Sequence, residues 1–243
     1  MSTDSGTSDP RQWASHHVFE IRYRPNAKIL DRRGEWAEEL SRELGLPTWR
    51  IGPDRLDIGD EEREHHAFVS FTNSGYVMSN APTANFFPDH AVKFFKHVLR
   101  LRDFPTPVYV TRIGVRQRFL SPFDGTLEDL VTRYSERYLR LTEAAKEAVA
   151  GKLLDLAGPL NFADAHGNFN TNCGPMHQDQ AKTVLEGLEP ERGFPSVGLF
   201  YDIDYWLRPE KELSEGNILS NIKAFSIEGW SRHDRVRQLI VGE

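Results

Sequence analysis

From His17 the chain alternates strictly: Phe19, Ile21 and Tyr23 fall on one side and Glu20, Arg22 and Arg24 on the other. That period of two predicts a half-buried strand, ended by Pro25 and Asn26. The period then lengthens. Trp36, Leu40 and Leu44 recur at helical spacing in "DRRGEWAEELSREL", and Gly45 follows where a left-handed cap belongs. "TWRI" and "DRLDI" are short strands parted by Gly52 and Pro53, and the acidic run "GDEEREHH" reads as a solvated turn. "AFVSFTNSGYVMSN" reads as a hairpin with "TNSG" as its turn. Pro88 suits the first turn of a helix whose faces are set by Val92, Phe95, Val98 and Leu99, and a long strand runs from Val108 to Leu120.

The second half carries the same kinds of signal. Thr126 is an N-cap with Asp129 in the capping-box position, opening two helical segments that divide near Thr142 and are stopped by Gly158 and Pro159. "PLNFADAHGNFNTNCGPM" fits either a loop or two irregular strands. "SVGLFYDIDYWL" is a strand, and the stretch from Glu215 to Val241 is one or two helices. This order predicts an α+β fold, a mostly antiparallel sheet with helices packed on one face. Residues 1–15 read as a disordered polar tail and 16–243 as one domain with loosely similar halves, 16–124 and 125–243. No internal repeat is strong enough to prove duplication.

Composition narrows the class. A net charge of −6 disfavours a protein that coats nucleic acid, since that affinity comes from many cations neutralising phosphates. A single cysteine, Cys173, excludes an internal disulfide and fits a reducing cytoplasm. The opening "MSTDSGTSDPRQ" lacks the charged and apolar regions of a signal peptide, and no run approaches the roughly 20 apolar residues that span a bilayer, so no membrane partner is expected.

Three segments in this order, "VFEIRY", "RIGVRQRFL" and "YDIDYWL" before a C-terminal helix containing His233, resemble a sporadically distributed family of bacterial proteins of about this length. Its middle strand reads Arg-Ile-Gly-(Leu or Val)-Arg followed by an aromatic residue; Gln117 stands at that last position here. The resemblance implies an α+β architecture and supplies no catalytic residue.

The candidate chemistry centres on two strands. Alternation puts Arg112, Gly114, Arg116 and Arg118 on one side of the first, and Gly198, Phe200, Asp202, Asp204 and Trp206 on one side of the second. If the strands are neighbours, their charges pair, each pair contributing about 0.2–1 kcal/mol, and the face is simply a soluble sheet surface. The functional reading is a protein-binding face, because Arg, Trp and Phe are enriched at energetic hot spots and the glycines at 114 and 198 leave notches. Nucleic acid is the alternative partner, through Arg112, Arg116 and Arg118 with the helical edge Arg133, Arg137 and Arg140, beside Tyr134, Tyr138 and Leu141.

A third reading is a metal- or thiol-dependent enzyme built on His166, Cys173, His177 and Asp179, although their spacing fits no metal template. No cofactor is expected from any nucleotide or catalytic fingerprint. The neighbouring pairs His16–His17 and His65–His66 point to opposite faces of a strand and so do not share a ligand.

Overall fold

Alternation at the start of the chain gives the first strand, β1, Ala14–Tyr23, and it enters near the middle of the sheet. The structure, a computed structural model, describes residues 14–60, 65–149, 153–186, 188 and 193–242. The expected tail at 1–15 therefore lies outside the described residues up to Trp13. Its last two positions do not belong to a tail: Ala14 and Ser15 are buried and paired with Leu120 and Phe119.

Helix α1, Lys28–Leu44, buries Trp36 and Leu40 and ends as predicted, with Gly45 at φ 68°. Strands β2, Thr48–Ile51, and β3, Arg55–Asp60, follow. Of the predicted acidic turn at 59–66, residues 61–64 lie outside the described residues, and the rest is not turn: Gly59 and Asp60 belong to β3 and His65 and His66 to the strand that follows. Strands β4, His65–Ser70, and β5, Asn73–Ser79, form the expected hairpin, but it turns earlier, at Phe71 and Thr72. The Ser70 hydroxyl accepts the backbone N–H of both Thr72 and Asn73, closing the chain there and leaving Asn73, Ser74 and Gly75 in the strand. Helix α2, Phe86–Val98, and the long strand β6, Val108–Pro122, complete the first half.

Thr126 caps α3, Leu127–Arg133, in the predicted box with Asp129, and a π-helical turn extends it over Tyr134–Leu139 until Arg140 enters the left-handed region at φ 50°. Helix α4, Glu143–Val149, is shorter than expected. Gly158 does not stop a helix; it opens a strand, β7, Gly158–Ala163, which forms a hairpin with β8, Asn168–His177. The remaining elements are α5, Gln178–Val184, β9, Val197–Leu207, β10, Lys211–Leu213, and one continuous helix, α6, Glu215–Ile240.

The strands form a single ten-stranded antiparallel sheet in the order β2-β3-β4-β5-β1-β6-β9-β8-β7, with β10 beside the start of β6. The two halves of the chain meet at β6 and β9 and share one core. Helices α1, α2, α3 and α6 cover the inner face: Phe95 meets Phe19 edge-on, Phe225 stacks on Tyr205, and His233 stacks on Phe119. Fully burying each such aromatic side chain stabilises by about 1.5–3 kcal/mol.

The outer face is mostly left without helices, except where Ala181 of α5 and Leu185 just past its end join Ala14, Leu120, Leu188 and Phe200 in a small second apolar cluster. No helix among the described residues is long and apolar enough to cross a membrane.

Candidate functional site

Antiparallel pairing of β6 with β9 sets Arg116 opposite Asp204, Arg118 opposite Asp202 and Gly114 opposite Trp206. Side chains bond along the diagonals instead. Arg116 donates from Nε and Nη2 to the two oxygens of Asp202 at 2.9 and 2.5 Å. Arg112 reaches over Gly114 and places Nη2 2.9 Å from both oxygens of Asp204. The crossing is tight at the glycine: a Cβ at Gly114 would lie 3.1 Å from Arg112 Nη1 and 3.0 Å from the Tyr205 carbonyl.

The two expected notches are therefore filled. Arg112 occupies the space over Gly114, while Gly198 is pressed against Leu120 and the Ser121 carbonyl, each 2.9 Å from where its Cβ would stand. Phe200, also expected on the open face, is buried beneath α5 in the second cluster. Trp206 is half-buried, with the Arg208 guanidinium 5.1 Å from its ring centre.

Arg118 is the exception in this ladder. Its closest carboxylate oxygen, on Asp202, is 3.6 Å from Nε and already held by Arg116. Nε itself is buried and has no hydrogen-bond partner among the described residues. Desolvation, then the adjacent Arg116 charge, lowers the pKa of Arg118, whereas the hydrogen bond to Asp202 raises that of Arg116. His16, paired with Arg118 across β1 and β6, is lowered to about 4 by burial and by the two guanidinium groups, so it stays neutral at pH 7.

Arg116 and Arg118 line a cleft of about 270 Å³ on the outer face. Met176, Val184, Pro175 and Phe200 make its apolar wall, and Asn172 and Gln180 add polar groups. Asp155, Ala157 and Gly174 also line it, and residues 156–157 run close over Gly174, whose Cβ would lie 2.7 Å from the Leu156 carbonyl oxygen. Its lining residues from β8 and α5 carry no distinctive motif, so only the register of β8 on β9 brings them to the arginines.

The second candidate set does not assemble. Cys173 faces the inner core, its thiol pushed far up by burial; His166 lies exposed in the β7–β8 turn, His177 caps α5, and Asp179 is in solvent. Among the described residues no group of three or more His, Cys, Asp or Glu side chains could hold a metal. Of the arginine edge, Arg133 Nη1 donates to the Val241 carbonyl at 3.0 Å and Arg137 reaches the Leu239 and Ile240 carbonyls at the end of α6, while Arg140 is exposed where the π-helical turn ends.

Two polar constellations escaped the sequence reading. Asp164 gathers donors from Tyr205, the His166 and Gly167 backbones and Arg232 Nη2 at 2.5 Å, while Arg232 lies 4.1 Å over the Phe169 ring. Burial works to raise the pKa of Asp164, and those donors outweigh it and hold it low. Beneath the sheet, Gln117 Nε2 donates to His17 Nδ1 at 3.1 Å, and His17 Nε2 is 2.9 Å from Ser15 Oγ. His17 and His16 do point to opposite faces, His17 lying between Phe87 and Trp230. The Asp-Ala-His-Gly run was the one local hint of the first constellation, since Asp readily accepts backbone N–H groups two residues on.

No protein-family model matches the chain, and no curated protein does.

Proposed function

We propose that the chain is a cytoplasmic protein-binding module that engages its partner through the outer face of the sheet. The observation that carries this reading is the ordering of that face in advance. Arg112 and Arg116 are held by Asp204 and Asp202, yet the Arg116 side chain is still 47% exposed and Trp206 lies half-exposed on the same strand pair. Arg and Trp are the residue types that dominate interface energetics. Side chains immobilised before binding lose less entropy on association.

The nucleic-acid reading is weaker, because most of the arginines it needs are bonded to carboxylates or to the end of α6. The metal or thiol reading is weaker still, because His166, Cys173, His177 and Asp179 point to different places.

Site-specific photocrosslinking in the native host is the test. A crosslinker at position 206 or 22 on the outer face should capture a defined protein, and one at position 223 on α6 should not. Crosslinks that arise only from α6, or none from the outer face, would overturn the reading.

A further inference from the structure

We infer that the cleft beside Arg118 takes the free C-terminal carboxylate of a peptide chain whose last residue is apolar. This deepens the reading of the outer face as a protein-binding surface and rests on it.

The starting point is an imbalance of charge. Asp202 serves two guanidinium groups but is bonded well to one, Arg116, so Arg118 is left with a distant contact and a buried Nε that has no hydrogen-bond partner among the described residues. Nε itself is shut off from the cleft, so an anion there meets the outer nitrogens of the Arg118 guanidinium, whose side chain is 28% exposed and whose charge Asp202 balances only at a distance. His16, paired with Arg118 across β1 and β6, supplies no counter-charge in either of its protonation states. Asp155, across the cleft, accepts the Leu156 backbone N–H at 2.7 Å, and its second oxygen lies 3.4 Å from Gln180 Nε2.

Arg116, Arg118, Asp155 and Asp202 all line the cleft, and with Asp202 held by Arg116 and Asp155 turned to Leu156 and Gln180, the group left for an anion is the Arg118 guanidinium. A guanidinium edge matches the planar fork of a carboxylate. The facing wall of Met176, Val184, Pro175 and Phe200 asks for apolar contact, and about 270 Å³ holds little more than one residue. A chain terminus satisfies both demands from one carbon, since its carboxylate and its side chain branch from the same Cα. Val184 is partly exposed at the rim, and Met176 is unbranched and adaptable, which suits side chains of varied shape.

The experiment titrates the full-length protein with acetyl-Ala-Ala-Leu bearing a free C-terminus, with the same peptide as its C-terminal amide, and with hexanoate. The free acid should bind at least about tenfold more tightly than the amide, the scale of one charge-assisted bond. Arg118→Gln should remove that preference and Arg118→Lys should retain part of it. Val184→Asp, at a rim position that leaves the fold intact, should weaken the acid by like-charge repulsion. Asp202→Asn should tighten it, a direction that no purely structural role of Asp202 produces.

Equal affinity for acid and amide, or no binding of either at about 10 mM, would overturn the site. Hexanoate binding as tightly as the peptide acid would assign the cleft to a free small acid and overturn the peptide assignment. Outer-face crosslinks that persist alongside either result would leave protein binding standing and remove only the carboxylate site.

Discussion

Arg112 passes over Gly114 to place one nitrogen 2.9 Å from both carboxylate oxygens of Asp204, skipping a full step of the strand register. A side chain at position 114 would crowd that path, its Cβ 3.1 Å from Arg112 Nη1. The glycine thus leaves room for the ion pair, and the pair ties β6 to β9 on the outer face.

Gly114→Val should destabilise the protein by about 1–3 kcal/mol, since its new atoms meet the Tyr205 carbonyl and Trp206 Cβ and displace Arg112. Combined with Asp204→Asn the loss should be smaller than the sum, because both changes sever one interaction. Urea titration of the two single variants and the double variant measures this; strict additivity would disconnect the glycine from the pair.

Helix α6 rests on β6 at Gly229, where a Cβ would fall 2.0 Å from Gln117 Oε1. Gly229→Ala should therefore destabilise by about 1–2 kcal/mol even though alanine is favoured over glycine in a helix by up to about 1 kcal/mol. Shortening the obstacle with Gln117→Ser should turn the same substitution neutral or stabilising. Thermal unfolding of the four proteins in this cycle gives the answer.

Acid should weaken the fold before the carboxylates titrate. Burial first, then the neighbouring His16 and His233, lowers His17 to about 3, and burial with Arg118 and Arg116 lowers His16 to about 4. Below the unfolded value of about 6.5 the open chain takes up protons that the native state refuses, so stability falls with pH. It is complete above about 6.5 and is lost towards pH 4 for His16 and pH 3 for His17, at about 1.4 kcal/mol per pH unit for each. Urea midpoints at about pH 7 and pH 5 should differ accordingly, and His17→Gln should flatten the dependence. Midpoints that coincide would show the histidines protonated in the native state.

Cys173 should be silent to thiol reagents in the folded protein and react fully in urea, because it is buried and its thiol pKa is driven up by desolvation. Cys173→Ser should retain the fold. Stoichiometric labelling of the native protein within seconds would contradict the burial.

Asp164→Ala should release the β7–β8 turn from α6, at a cost of about 1.5–3 kcal/mol for the loss of charged hydrogen bonds. Faster amide exchange and earlier proteolysis at residues 164–167 would report it. Unchanged exchange there would show that Arg232 and Asp164 do not hold the hairpin.

Local pattern determined the elements wherever one face of each is buried. Period-two alternation placed β1, β6 and β9, the Thr126–Asp129 box opened α3, and Gly45 ended α1, because each signal acts over a few residues. The signal failed where a residue's conformation depends on distant contacts. Gly158 and Pro159 look like helix stops but open β7, whose strand exists because β8 pairs with it and β9 pairs with β8.

The candidate face was legible to the same extent. Alternation identified Arg112, Arg116, Arg118, Asp202 and Asp204 as sharing a surface. Which arginine holds which aspartate, the burial of Phe200 under α5, and the cleft beside Arg118 were decided by register and by a helix arriving from elsewhere in the chain. Those are long-range geometric facts. A one-residue shift of β9 on β6 would turn every side chain to the other face while leaving the sequence pattern unchanged.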